Sequence, residues 1–307
     1  MQKRFLVFTA LVAFMITTML GCAGGVALPP PDANSGSAKT AAGENGKMVV
    51  TMLNVGQGDA IFIDTGTQKV LVDTSDTDER DNLRRELNKL GVKTLDKIIL
   101  THPHADHIGG MGMLLDEWEV KEVYDNGMPS TSPVYRGYMK QMKAKNIPRH
   151  ALKAGDVLTL GDNVTFTVFS PTADTVEKGQ VKGYKHEPNN ESIVGKLEYG
   201  EFTMLFTGDA EKEAEAEMVD AYGSNLTAKI LKSPHHGSKT SSSQKFLQTV
   251  KPEAALISLG TGNDYGHPHK QTMERYEKQG IKIYRTDEDG AITVTTDGKT
   301  YDIKKEK

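Results

Sequence analysis

Thr101-His102-Pro103-His104-Ala105-Asp106-His107 follows directly on the apolar segment Asp96–Leu100. A short run rich in Ile and Leu that stops at a polar turn is the pattern of a buried strand. Here the turn carries three imidazoles and a carboxylate within six residues. Four ligand-type side chains at a strand end point to metal: the turn can aim His102 and His104 at one cation and Asp106 and His107 at a second. Neutral imidazole and carboxylate suit Zn, Mn and similar ions. The sole cysteine is Cys22, so any metal site must use nitrogen and oxygen ligands. Gly109-Gly110 then allows a tight turn into the next helix. A surface histidine cluster without metal is the weaker alternative.

Two further loops supply the remaining donors. Thr207-Gly208-Asp209 follows the apolar strand Phe202–Phe206. Alone, Asp209 reads as a helix N-cap; beside the histidine motif it reads as a carboxylate bridging two cations. Pro234-His235-His236-Gly237-Ser238 follows a strand at Lys229–Leu231. His235 is the expected remaining ligand, with His236 behind it or facing substrate. Ser238, Lys239 and Thr240 precede a helix whose amides can hold an anion; a plain cap beside a solvated lysine is the alternative. In Gly266-His267-Pro268-His269, either histidine can protonate a leaving group or contact a phosphate, or serve the loop alone. His150 and His186 are assigned no role, and Trp118 reads as packing.

The 307 residues suffice for one large domain or two small ones. Strands are expected at Met48–Leu53, Ala60–Asp64, Lys69–Asp73, Asp96–Leu100, Val164–Phe169, Ser192–Tyr199, Phe202–Phe206, Lys229–Leu231, Ala254–Ser258 and Ile281–Tyr284. Helices are expected at Asp78–Leu90, Val134–Lys145, Glu211–Tyr222, Ser243–Val250 and Gln271–Gln279. Asp297-Gly298 marks a closing hairpin. Strands first, then strands alternating with helices, imply an α/β protein with two packed sheets flanked by helices. A strand, a histidine-rich loop and a helix occur at 96–117 and again at 229–250, an echo that would bring both loops to one edge.

The amino terminus carries an address. Residues 1–22 read as an export signal: Lys3 and Arg4 precede an apolar run from Phe5 to Leu20, short for a bilayer-spanning helix. Met19-Leu20-Gly21-Cys22 resembles a bacterial lipobox, with Met19 and Leu20 where Leu and a small residue are usual. Cys22 is therefore the expected lipidation site, and the protein an exported, membrane-anchored lipoprotein facing the extracellular or periplasmic side. Residues 23–46, rich in Gly, Ala, Pro, Ser and Asn, cannot bury enough surface to fold and read as a disordered tether. The hydrolase domain is expected at 47–307.

Together these motifs resemble the metallo-β-lactamase superfamily, and more fully the hydrolase domain of ComEC-type DNA-uptake (competence) proteins. The residues that carry the resemblance are Asn54 to Ala60, Val72-Asp73, Thr101 to Gly110, Thr207-Gly208-Asp209, His235 to Ser241 and Tyr265 to His269. Arg285-Thr286-Asp287 and Asp289-Gly290-Ala291 extend it. The resemblance implies a four-layer αββα sandwich with its site at one sheet edge and two divalent ions, Zn or Mn. It implies that Asp73 supports the metal loop without binding metal. The family's third motif usually offers a histidine; Pro188-Asn189-Asn190-Glu191-Ser192 has none nearer than His186, and Asn190 is expected to face the metal instead. More oxygen and fewer nitrogen ligands make Mn a competitor to Zn. No multi-span channel accompanies the motifs, so the chain reads as the hydrolase domain on its own, outside the cytoplasm. The expected reaction is metal-assisted hydrolysis, with Asp106 and Asp209 orienting the water and DNA or another phosphodiester as substrate. The alternatives are a hydrolase of a small ester, thioester or lactone, and a non-catalytic surface binding module. Formal net charge is −4, which argues against a large non-specific nucleic-acid footprint. No obligate protein partner is inferable.

Overall fold

The computed structural model describes residues 46–307. The expected export signal, Cys22 and the tether up to residue 45 lie outside the described residues. No helix among the described residues is long and apolar enough to cross a membrane.

The chain begins with an antiparallel meander, β1 (Met48–Met52), β2 (Ile61–Asp64) and β3 (Lys69–Val72). Helix α1 (Arg80–Lys89) leads to β4 (Thr94–Leu100), parallel to β3. Two short helices, α2 (Ala105–Ile108) and α3 (Met111–Glu117), precede β5 (Glu119–Asp125); α4 (Pro133–Lys145) precedes β6 (Arg149–Ala151). The second sheet starts with β7 (Val157–Thr159) and β8 (Val164–Ser170). After α5 (Ala173–Gly179) come β9 (Val194–Tyr199) and β10 (Phe202–Phe206). Then α6 (Lys212–Tyr222), β11 (Ile230–Lys232), α7 (Gln244–Val250), β12 (Ala254–Ile257), α8 (Lys270–Lys278) and β13 (Lys282–Arg285) alternate. The short α9 (Thr286–Asp289) leads into the hairpin β14 (Ile292–Thr296) and β15 (Tyr301–Lys305), which returns to pair with β1. The sheets run β15-β14-β1-β2-β3-β4-β5-β6 and β13-β12-β11-β10-β9-β8-β7.

Side-chain alternation explains the layering. In β10, Phe202, Met204 and Phe206 point between the sheets and pack with Val50, Ile63 and Phe166. Leu205 points the other way, into a core with Met218, Leu247 and Tyr276 from α6, α7 and α8. On the far side of the first sheet, Leu83, Leu114 and Met142 from α1, α3 and α4 cover Leu71, Ile98 and Leu100. Strands buried on both faces read as near-continuous apolar runs, which is why β4, β10 and β12 were legible. The four layers are therefore helices, sheet, sheet and helices. Trp118 belongs to the outer core and donates from Nε1 to the Val92 carbonyl at 3.0 Å.

β5, β6 and β7 have no comparable sequence signal. Glu119, Lys121 and Glu122 interrupt β5, which lies between β4 and β6, and all of the edge strand β6 is exposed; such strands are held by pairing with neighbours, not by an apolar period.

The carboxyl ends of β3, β4, β10, β11 and β12 open on one edge, where ligands bind in α/β sheets. The loop after β4 is laced to its neighbours through backbone: Asp59 N donates to Asp106 O at 3.0 Å, Thr74 N to His107 O at 2.7 Å, and Gly109 N to Ser75 O at 2.9 Å. Gly109 and Gly110 both keep right-handed helical φ, so close approach, not turn geometry, demands glycine there. A Cβ on Gly109 would fall on the backbone of Asp76 and Thr77, and one on Gly110 on the Thr74 carbonyl.

Gly109→Ala is accordingly expected to lower stability by about 1–3 kcal/mol, the usual cost of overpacking. Gly112→Ala within α3, whose Cβ would meet only Gln141 Oε1 at 3.5 Å, should leave stability unchanged or raise it. Urea unfolding of both variants checks the contrast.

Candidate metal centre

Asp209 is the hub of the site. Its Oδ2 lies 3.3 Å from His107 Nε2, 3.6 Å from His236 Nε2, 3.8 Å from His235 Nε2 and 4.0 Å from His102 Nε2. Asp106 Oδ2 lies 3.3 Å from His236 Nε2 and 3.8 Å from His107 Nε2. Asp106, His107, Asp209 and His236 thus present four donor atoms to one point. His102 Nε2 faces His104 Nδ1 at 3.0 Å beside it.

The imidazoles are aimed by their other nitrogens. His107 Nδ1 meets Asp73 Oδ2 at 2.8 Å, while Asp73 Oδ1 accepts from Thr101 N at 2.7 Å. Asp73 therefore orients a ligand-type histidine from behind, from a backbone with φ of +59°. His236 Nδ1 donates to the Ser258 carbonyl at 2.8 Å, which leaves a lone pair on Nε2. His235 Nδ1 meets Glu211 Oε1 at 3.1 Å. His235 and His236 both have positive φ, 51° and 50°. Two adjacent left-handed residues without glycine cost on the order of 1–3 kcal/mol each, and here that conformation turns both rings toward one carboxylate.

These residues fit a divalent cation. His107 Nε2, His236 Nε2 and Asp209 Oδ1 are buried with no hydrogen-bond partner among the described residues, an arrangement that is costly unless something else satisfies them. The carboxylates of Asp59, Asp73, Asp106 and Asp209 crowd together, and the one lysine ammonium among them is that of Lys232. Burial alone would favour neutral His107, yet Asp209, Asp73 and Asp106 together hold its pKa well above the ordinary histidine value. Lone pairs converging amid surplus negative charge call for a cation, and nitrogen and oxygen donors suit Zn or Mn.

Several expected residues sit elsewhere. His236, expected behind the ligands or facing substrate, is in the buried four-residue group, while His235, the expected ligand, is partly exposed and brings its Nε2 to 3.8 Å from Asp209 Oδ2. Asn190 does not face the site: its Oδ1 accepts from Glu211 N at 3.1 Å and Ala214 N at 3.4 Å, capping α6. Asn189 lines the cleft instead. The amides before α7 are not open to an anion, because the Glu215 carboxylate accepts from Ser242 N and Ser243 N. Ser238 is buried, its Oγ 2.9 Å from Thr240 Oγ1, and the Lys239 side chain is exposed. His267 lines the cleft; burial, with His236, His235 and His269 nearby, pushes its pKa down to about 4, so it is neutral at pH 7. His269 accepts from Lys239 N at 3.1 Å, a loop contact.

Asp59, Lys232 and Glu211 carry weight that the sequence reading missed. Lys232 is fully buried; its Nζ pairs with Asp59 and donates to the Gly208 carbonyl at 2.8 Å. A lysine at the end of an apolar strand was the available signal, since lysine is almost never buried unless paired. Lys232→Met would strand the Asp59 carboxylate and is expected to cost about 3–5 kcal/mol, measurable by thermal or urea unfolding; Lys232→Met with Asp59→Leu should recover much of it.

The sequence matches the Metallo-beta-lactamase superfamily over residues 53–261. It is 35% identical over 263 residues to ComE operon protein 3 of Bacillus subtilis (strain 168), covering 79% of this chain and 32% of that protein. It is 32% identical over 245 residues to the competence protein ComA of Neisseria gonorrhoeae, covering 79% of this chain and 31% of that one. The chain thus spans about a third of the length of these two relatives. The exodeoxyribonuclease WalJ of Streptococcus pneumoniae serotype 2 is 23% identical over 259 residues, which cover 78% of this chain and 93% of WalJ. With the Asp209-centred cluster and the two packed sheets that carry it, these matches establish that the chain belongs to the metallo-beta-lactamase superfamily.

Proposed function

We propose that this protein is a two-metal phosphodiesterase that cleaves DNA outside the cytoplasm. The observation that carries the reading is the set of unpartnered nitrogen and oxygen donors around Asp209, opening into a cleft of about 370 Å³ lined by Gln57, His104, Asp106, His235, Tyr265 and His267. Competence and exodeoxyribonuclease relatives support DNA as the substrate.

In this proposal Asp106, His107, His236 and Asp209 hold one ion. His102, His104 and Asp209 would hold the other, with His235 a further nitrogen donor beside Asp209. Bound divalent cations supply Lewis-acid activation of water and neutralise charge developing at phosphorus. The chain's own groups do the rest. Burial works against the ionised forms of Asp209 and Asp106; without metal the positive charge of His107 and His236 outweighs it, and with a cation held through neutral imidazoles the cation's own charge would do so. Both are placed to accept a proton-side hydrogen bond from the attacking water. Neutral His267 can orient the leaving oxygen by hydrogen bonding and is a poor proton donor at pH 7. The net charge of −4 favours the second reading, hydrolysis of a small ester, thioester or lactone. Export and anchoring through a lipid on Cys22 complete the proposal, supported by the residue 1–22 sequence alone.

Plasmid DNA, bis-p-nitrophenyl phosphate and nitrocefin, each assayed with Mn and with Zn, separate these readings. Metal-dependent nicking that chelation abolishes and that Asp209→Ala eliminates is the expected result; turnover of nitrocefin or small esters without nicking would replace it with the second reading. Asp73→Asn should weaken metal binding or activity about 10- to 100-fold, as loss of a supporting carboxylate usually does, checked by metal titration. Cys22→Ser should move the protein from the membrane to the soluble fraction of cells that make it.

A further inference from the structure

Tyr265 is the one aromatic side chain strongly exposed among the described residues, with 62% of its surface open, and it stands at the mouth of the metal cleft. Its ring lies nearly parallel to that of His267, at 20° with centroids 5.6 Å apart. His267 in turn lies at 25° to His236, with centroids 6.1 Å apart. Three near-parallel rings therefore run from solvent to the buried donor cluster. The inner face of Tyr265 meets His267, and its hydroxyl makes no hydrogen bond among the described residues. The outer face of the ring is therefore open to stacking.

The loop that holds the ring is preorganised. Asn263 Nδ2 donates to Gly260 O at 3.0 Å and His267 O at 2.8 Å, and Asn263 Oδ1 accepts from His267 N at 3.0 Å. One asparagine thus clamps the segment from both ends, and a ligand stacking on Tyr265 would spend little on ordering it. Two exposed lysines flank the His269 end of the same loop: Lys239, whose backbone N donates to His269, and Lys270, whose Nζ lies 3.7 Å from Glu274, while Asp76 and Asp264 stand nearer the ring itself. Flat aromatic faces beside lysines are the pattern of single-strand nucleic-acid binding, where stacking holds a base and cations track the phosphates.

We propose that Tyr265, backed by His267, is a nucleobase-stacking subsite that seats the base next to the scissile phosphodiester at the metal centre. This rests on the phosphodiesterase reading and deepens it: the preferred substrate is single-stranded, base-bearing polynucleotide, not a bare phosphodiester. One stacked base is ordinarily worth about 5- to 100-fold in affinity.

The test uses the full, metal-loaded chain and two ligands of equal length, oligothymidylate and an abasic polymer of the same phosphodiester backbone. Affinity is read by fluorescence anisotropy on phosphorothioate versions, and kcat and KM on cleavable ones. Tyr265→Ala should weaken oligothymidylate about 5- to 100-fold, mainly in KM, and leave the abasic polymer and the metal content unchanged; Tyr265→Phe and Tyr265→Trp should behave as wild type. Wild-type cleavage of both ligands with an unaltered preference in Tyr265→Ala overturns the subsite alone. Equal loss on both ligands also overturns it, because Tyr265 would then only position His267. A wild-type protein that neither binds nor cuts either polymer overturns the phosphodiesterase reading and the subsite with it.

Discussion

The buried carboxylate of Asp209 faces the Nε2 atoms of His107, His236, His235 and His102 within 4.0 Å, and much of the surrounding structure exists to keep them there. Lone pairs and carboxylates would repel one another in a medium that screens poorly. Only added positive charge makes the arrangement favourable. Lys232 supplies one part of it, pairing with Asp59 directly beneath the cluster. The divalent metal binding that the fold implies would supply the remainder.

That requirement accounts for several local costs. His235, His236 and Asp73 all adopt positive φ although none is glycine, a strain that persists only where surrounding contacts over-determine it. The contacts are visible: His235 N donates to Gly208 O, Thr207 Oγ1 to Lys232 O and Asp209 N to Ser192 Oγ. They tie the loops after β10 and β11 and the segment before β9 into one unit. Ser258 Oγ donates to the Gly58 carbonyl at 2.7 Å, so loops from the two sheets are joined as well. The donors come from separate strands, and these links hold them in register.

Two features shape this cleft. The segment 188–192 offers asparagines and no histidine; Asn190 is occupied in capping α6, while Glu211 and Thr240 surround His235. The loop after β11 brings two adjacent histidines, His235 and His236, to the same carboxylate of Asp209. The second feature is the mouth, where Tyr265 extends the line of rings outward. The buried end concentrates charge and the open end presents an aromatic face.

The layered α/β architecture was legible in the amino-acid order alone, because buried strands and amphipathic helices leave different apolar periods. That order also singled out His102 to His107, Asp209 and His235-His236 as a donor set, because polar donors crowded at the ends of apolar strands have little other use, and the structure brings them together at one edge. Only the tertiary structure decided which histidine of the doublet enters the buried group, since two left-handed residues in succession reverse what spacing along the chain suggests. It also decided the role of Asn190 and the closure of the α7 amides by Glu215, because caps are supplied from distant segments. The Asp59–Lys232 pair joins residues far apart in sequence, and Tyr265 gains meaning only from the rings beside it. Periodicity is a local property of the chain; the direction of a side chain at a loop, and the charge it meets there, are set by contacts between strands that fold together from opposite ends of it.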